Sequence, residues 1–227
     1  DREGKEGRGS VLVVGGSAEI PGAVLLAGTA ALRAGAGKLQ LASVSSVAPL
    51  LAVAMPEARV LPLPEAIEGE ISELSPALLE AAEDADAIIL GPGCEPTSTL
   101  WAAVRIVIRA ATGTVVLDAG AMGAIGSDRR STERCVLTPH AGEMASITGL
   151  SLKQVQGNPL SVAQRYSDET GCIVVLKGAT TYITGPNEAP WEHSGGSIAL
   201  GTSGSGDVLA GLIGGLVWVR RMEKISR

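Results

Sequence analysis

At 227 residues the chain can bury a large core, and one domain spanning 1–227 is expected. Hydrophobic residues make up 45% but aromatics only 2%, with no Phe, so the core must be Ala, Val, Leu and Ile packed through small side chains. A formal charge of −6 disfavours nucleic acid as a partner, and no uninterrupted apolar run reaches the length of a membrane span.

Short aliphatic runs alternate with longer Ala-rich segments along the chain. Val11-Leu12-Val13-Val14 predicts a buried strand, followed by the Gly15-Gly16-Ser17 turn and a helix over Gly22 to Ala34. Lys38 to Ala42 reads as a second strand, Val44 to Ala52 as a short helix, and Ala58 to Leu61 as a third strand. Ser72 to Glu83 is an amphipathic helix with Leu74, Leu78 and Leu79 on one side. The strand Ala87-Ile88-Ile89-Leu90 ends in Gly91-Pro92-Gly93, Thr97 to Ala111 is helical, and Val115-Val116-Leu117 is a strand ending at Asp118. Cys135-Val136-Leu137 leads through Thr138-Pro139-His140 into a helix, and Val162 to Thr170 is helical again. The strand Ile173 to Leu176 runs into Lys177-Gly178-Ala179-Thr180, with Tyr182-Ile183-Thr184 returning as an antiparallel partner. Pro186 to Ser197 is a polar excursion, and Val208 to Val217 reads as a buried helix. This rhythm predicts an α/β fold with a mostly parallel sheet and helices on both faces, and ligands at the carboxyl ends of the strands.

The stretch before that last helix, Thr202-Ser203-Gly204-Ser205-Gly206-Asp207, combines two glycines, the free amides of a helix start and a carboxylate. Asp207 is either a helix cap or a base beside a phosphate held by those amides. His140, one of two histidines, falls at a strand-to-helix junction, as a cap, a packing residue or a site residue; His193 sits in a polar loop and is expected at the surface. Lys177 to Thr181 could hold a nucleotide or form an ordinary strand-end turn, and Asp118 is open between capping and metal or substrate work. Neither histidine has partners at metal-ligand spacing, so no protein metal site is expected. The P-loop and dinucleotide fingerprints are both absent. Cys94, Cys135 and Cys172 form no C-x-x-C pair and are expected to be reduced, structural thiols in a cytoplasm. The charged start, Asp1 to Glu6, is not followed by a signal-type apolar region, and the missing initiator Met suggests a trimmed chain.

From about Val11 to about Leu216 the chain resembles the ADP/ATP-dependent NAD(P)H-hydrate dehydratases, a branch of the ribokinase-like superfamily. The resemblance rests on the ordered set Gly15-Gly16-Ser17, Arg33-Ala34-Gly35-Ala36-Gly37, Gly91-Pro92-Gly93, Thr138-Pro139-His140-Ala141-Gly142-Glu143, Lys177-Gly178-Ala179-Thr180 and Gly204-Ser205-Gly206-Asp207. It implies a three-layer α/β/α sandwich and repair of hydrated NADH or NADPH, driven by hydrolysis of ADP, expected ahead of ATP, with Mg²⁺ on the nucleotide. By motif, Lys177, Gly178, Ala179, Thr180, Thr181, Gly204, Ser205 and Gly206 would contact the adenine nucleotide. Ala23, Gly93, His140 and Asp207 would face the hydrated dinucleotide, and Asp207 would act as general base. A homo-oligomer, a tetramer in the family, is implied as well.

The chain departs from the family pattern in places. After Asp118 it reads Ala119-Gly120-Ala121-Met122-Gly123, without the family's second carboxylate and its amide, which puts a role for that loop in question. Gly93 is followed by Cys94-Glu95-Pro96 instead of an apolar-glycine pair, and the segment Gly195 to Leu200 also differs. The C-terminus looks truncated relative to the family, and the epimerase domain fused to some relatives is absent from the sequence. Two rival functions share these residues: a kinase of the same superfamily acting on a small alcohol such as a vitamin precursor, and a non-catalytic adenine-nucleotide sensor.

Overall fold

The computed structural model describes residues 8–126 and 129–225; the charged stretch at 1–6 and the chain end at 227 lie outside the described residues. Among the described residues nine strands form one sheet: β1 (Ser10–Val14), β2 (Lys38–Val44), β3 (Arg59–Leu63), β4 (Ala87–Leu90), β5 (Thr114–Leu117), β6 (Cys135–Leu137), β7 (Ile173–Leu176), β8 (Thr181–Thr184) and β9 (Trp191–His193). Their order is β3-β2-β1-β4-β5-β6-β7-β8-β9. The first seven are parallel, β8 pairs antiparallel with β7, and β9 pairs antiparallel with β8. The chain leaves β1 toward β2 on one side and later returns to lay β4 on the other, so the sheet's topological switch lies between the ends of β1 and β4. Crevices at such points are where open α/β sheets bind ligands.

Strands that are buried on both faces must be apolar throughout, and Val11 to Val14, Ile88 to Leu90 and Val115 to Leu117 are all below one tenth exposed. The flanking helices are α1 (Gly22–Ala34), α2 (Ala48–Ala54), α3 (Pro76–Asp84), α4 (Ser98–Ala110), α5 (Arg129–Thr132), α6 (Ala141–Thr148), α7 (Leu152–Gly157), α8 (Pro159–Thr170) and α9 (Ser205–Ile225). Helix α9 packs on β4, β5 and α1, which lies on β1 and β2; α3, α4, α5 and α8 form the chain of contacts on the opposite face. Right-handed crossovers put α1 on one face and α3, α4 and α8 on the other, since the connections toward β3 and those toward β7 run in opposite directions; α9, which leads to no further described strand, joins α1 by packing.

The α1–α9 contact shows how a core without Phe is filled. A methyl group on Gly211 would lie 2.2 Å from the Ala27 carbonyl oxygen, and one on Gly215 would lie 2.5 Å from that of Ala31. The two glycines, one turn apart, let the helices meet at backbone distance over a row of alanines. Leu26 of α1 then reaches the start of α9, where its Cδ1 lies 2.4 Å from the position of a Gly204 Cβ; φ is +85° at that glycine. The close helix contact therefore sets where the Gly204-to-Asp207 turn stands over the sheet.

Several boundaries differ from expectation. The helix predicted from Val44 begins only at Ala48, because Ser43 and Val44 are held in the β2–β3 ladder opposite Pro62 and Leu63. Pro62 is tolerated there because β3 is an edge strand. The helix expected from Ser72 starts at Pro76: Ser75 caps it by accepting the Leu78 N–H, while Ile71 is bridged to Glu65. The excursion after Pro186 contains β9, paired to β8 through Ile183–Trp191 and Thr181–His193. Helix α7, with its Ser151–Gln154 capping box, was not anticipated. Among the described residues no helix is long and apolar enough to cross a membrane.

Candidate active site

Every motif of the Thr138-to-Glu143 segment has a place. Pro139 accepts the Lys177 backbone N–H at 2.8 Å, which renews the β6–β7 ladder as a His140–Lys177 bridge beyond the strands proper. His140 and Lys177 thereby emerge side by side at the carboxyl edge. His140 caps α6: its Nδ1 accepts the Gly142 and Glu143 N–H groups at 3.0 and 3.1 Å, and Glu143 Oε2 accepts the His140 N–H at 2.7 Å. Thr138, fully buried, donates its hydroxyl to Asp118 Oδ1 at 2.6 Å.

Asp118 is only 3% exposed. Lys177 Nζ lies 3.5 Å from its Oδ1 and 3.9 Å from Glu143 Oε2, so one ammonium group serves two carboxylates. Gly206 stands against this group: a Cβ there would lie 3.2 Å from Lys177 Nζ and 3.7 Å from Asp118 Oδ2. A side chain at Gly206 would require the lysine ammonium to shift by a few tenths of an ångström away from its place between the carboxylates. Thr138→Val is expected to lower unfolding free energy by about 1.5–3 kcal/mol, the usual worth of a hydrogen bond to a buried charge, and Thr138→Ser to recover most of it. Urea unfolding of the three proteins checks this.

Asp207 is the third residue of α9, in its first turn, and its carboxylate accepts no hydrogen bond from the described residues. It is therefore not the helix cap that sequence left open. A helix start favours the charged form of an acid. Here burial, and then the charge of Asp118, outweigh that and the pull of Lys177, and hold the Asp207 carboxyl at about 6. A half-buried carboxyl with that affinity for a proton can accept one near neutral pH and release it again.

The expected substrate-side pair also meets. Gly93, at φ +70°, would bring a Cβ within 2.8 Å of the Ala23 Cβ and 2.7 Å of the Ile20 carbonyl, at the switch between β1 and β4. Ala23 lies one helical turn before Leu26, the residue that covers Gly204, so this contact adjoins the α9 start. Gly178 and Ala179 are exposed and Thr180 and Thr181 half-buried, in the tight connection from β7 to β8. Ser205 is exposed at the α9 start, and His193 is exposed as expected.

Two segments that depart from the family pattern lie against each other. A Cβ on Gly120 would lie 2.4 Å from the Cys94 carbonyl oxygen and 2.8 Å from the Pro96 nitrogen, so the altered Cys94-Glu95-Pro96 turn occupies the room a side chain at 120 would need. Trp101 seals the packing by donating Nε1–H to the Gly120 carbonyl at 2.9 Å. Asp118 keeps its place at the strand end despite the changed loop. Sequence reasoning left Asp118 in question and gave Glu143 no role; the missing signal was the shared lysine, which only the β6–β7 adjacency reveals. The cysteines are free and buried. Burial pushes the Cys94 thiol up to about 12, and a hydrogen bond with Cys172 together with burial raises Cys135, so both stay protonated thiols.

The family model described as NAD(P)H-hydrate dehydratase matches residues 11–225. The chain belongs to the NAD(P)H-hydrate dehydratase family. An ADP-dependent (S)-NAD(P)H-hydrate dehydratase of Xanthomonas campestris pv. campestris is 52% identical over 214 residues, which cover 93% of this chain and 73% of that protein. A Bacillus subtilis ADP/ATP-dependent NAD(P)H-hydrate dehydratase, co-crystallized with ATP/Mg²⁺, superposes with a TM-score of 0.77 at 32% identity, over 96% of this chain and 76% of that one. A ribokinase-like superfamily protein of Enterococcus faecalis V583 superposes with a TM-score of 0.80 at 26% identity, covering 96% and 74%. The expected ribokinase-like architecture is thus the observed one.

Proposed function

We propose that the chain restores NADH and NADPH from their hydrated forms in a reaction driven by ADP or ATP, with ADP the nucleotide its 52%-identical relative is named for. The observation that carries this reading is the unbonded Asp207 carboxylate, held at about 6 at the start of α9 beside Lys177 and Asp118.

Hydroxide leaves poorly, so the ring hydroxyl is first made a phosphate ester. Asp207 takes the hydroxyl proton as its oxygen forms the new bond to the terminal phosphoryl group and the bond to the nucleotide's bridging oxygen breaks. The amides of Gly204, Ser205 and Gly206 and the Lys177 ammonium face the negative charge of the phosphoryl oxygens. Phosphate then leaves with the C–O electron pair, pushed out by the ring nitrogen; the resulting iminium loses a proton from the neighbouring ring carbon to the departing phosphate, and that C–H electron pair restores the double bond. Gly178, Ala179, Thr180 and Thr181 hold the nucleotide, and Ala23, Gly93 and His140 the hydrated dinucleotide. Among the described residues no group of three or more His, Cys, Asp or Glu is arranged to hold a metal. Mg²⁺ binds through phosphates, waters and one or two carboxylates; Asp118, with its Oδ2 beside Gly206, would be the chain's donor. Bound there, the ion would neutralise phosphate charge. We place the reaction in the cytoplasm, in keeping with three free thiols, and in a homo-oligomer, the tetramer of the family.

Incubation with hydrated NADH, Mg²⁺ and ADP or ATP tests the proposal, followed by the return of NADH absorbance. Nucleotide-dependent recovery is expected. Phosphorylation of a small alcohol without recovery would make the chain a kinase, and nucleotide binding with neither activity would make it a sensor.

A further inference from the structure

The α6 capping box has a consequence for the chemistry of His140. Its Nδ1 accepts two backbone N–H groups, from Gly142 at 3.0 Å and Glu143 at 3.1 Å. A ring nitrogen with both donors aimed at its lone pair cannot carry a proton, so the ring proton of the neutral imidazole sits on Nε2. The ring has no freedom to exchange these roles. Glu143 closes the box from the other side, through the His140 backbone N–H at 2.7 Å. Gly142 leaves the space the ring fills, since a Cβ there would lie 2.9 Å from His140 Cε1. Nε2 faces outward on a side chain 60% exposed, 3.6 Å from Glu143 Oε2 and beyond hydrogen-bond reach of it. The His140–Lys177 bridge sets it on the same edge as the Asp207 group.

We propose that His140 serves the reaction as a fixed, neutral hydrogen-bond donor, presenting Nε2–H to an acceptor oxygen of the hydrated dinucleotide, and that it takes no part in proton transfer. This rests on the reading that the dinucleotide lies at this edge. It divides the labour of the site: the one nitrogen that a base would use is spent on the helix start, which leaves proton transfer to Asp207. It also explains why glycine follows two residues after the histidine and glutamate three after it.

Two measurements test it. The first is ¹⁵N NMR of histidine-labelled protein; the chain has two histidines, and a His193→Gln variant leaves the His140 signals alone. Nε2 protonated and Nδ1 bare is expected at neutral pH, and a protonated Nδ1 would overturn the proposal. The second is His140→Ser, which keeps an N-cap acceptor but removes the donor. Its KM for hydrated NADH is expected to rise roughly tenfold, the worth of one hydrogen bond, with kcat within about twofold of wild type and an unshifted pH profile. A fall in kcat of about a hundredfold or more, at unchanged KM, would identify a proton-transfer residue and refute the donor role. Gly142→Ala is expected to raise KM similarly with the histidine still present, because the added methyl displaces the ring; unchanged KM would count against the proposal. If the wild-type chain restores no NADH, the repair reading falls, and the NMR result still decides the state of the ring.

Discussion

Asp207→Asn is expected to lower kcat for NADH recovery by roughly 10²–10⁴-fold, the usual contribution of a positioned general base, with little change in KM. Asparagine has nearly the same shape, so what is lost is the capacity to take a proton. Wild-type kcat is expected to rise as pH climbs through about 6 and to level off above, since Asp207 must be ionised to act. The same shift has the opposite effect on stability. The folded carboxyl binds its proton more tightly than the unfolded one, so folding is favoured where it is protonated and disfavoured where it must ionise. The destabilisation is absent below the ordinary carboxylate range, grows from there toward about 6, and is complete above. Asp207→Asn should therefore melt no lower than wild type at pH 8, and match it near pH 4. A variant that melts well below wild type at pH 8 would mean that Asp207 supports the helix and that its loss of activity is a folding effect.

Gly211→Val is expected to cost about 3 kcal/mol or more of unfolding free energy, at the upper end for overpacking, because the new side chain meets the Ala27 backbone carbonyl and not a movable side chain. The sign for alanine is the sharper test. In an unobstructed helix interior Gly→Ala gains about 1 kcal/mol; at Gly211 the methyl would stand 2.2 Å from that oxygen, and a net loss is expected. Gly157, at the end of α7, has nothing within 4 Å of a Cβ and serves as the control, with Gly157→Ala neutral or slightly stabilising. Denaturant unfolding followed by circular dichroism separates these outcomes. Activity should fall along with the α1–α9 contact, because that contact seats Gly204, Gly206 and Asp207.

Much of the fold was legible because its local signals agreed. The strand Ala87–Leu90 and helix α1 were read with their observed limits: one is a continuous apolar run, the other an Ala-rich segment that a glycine turn closes. Boundaries slipped where tertiary pairing overrode local preference, as at Val44, which looked like the start of a helix but is held opposite Leu63. Strand β9 escaped notice because its three residues are exposed and carry no apolar alternation. In the site, His140, Lys177, Gly206 and Asp207 were legible as motifs, whereas Glu143 was only the last residue of the His140 motif and Asp118 a strand end open between capping and metal or substrate work. What joins the two is the Lys177 ammonium they share.

By itself the sequence determined the alternation of strand and helix, the all-aliphatic core, and the positions where glycine and charged groups interrupt strand ends. Those properties are local, set by side-chain periodicity and backbone freedom. Only the tertiary structure decided which interruptions share a site. Parallel pairing of β5, β6 and β7 brings Asp118, Thr138 and Lys177 together, and the backbone contact of α9 with α1 carries Asp207 and Gly206 over them. The protonation of Asp207 is decided at the same level, because it depends on burial and on the charge of Asp118, a residue far away along the chain and adjacent only across the sheet.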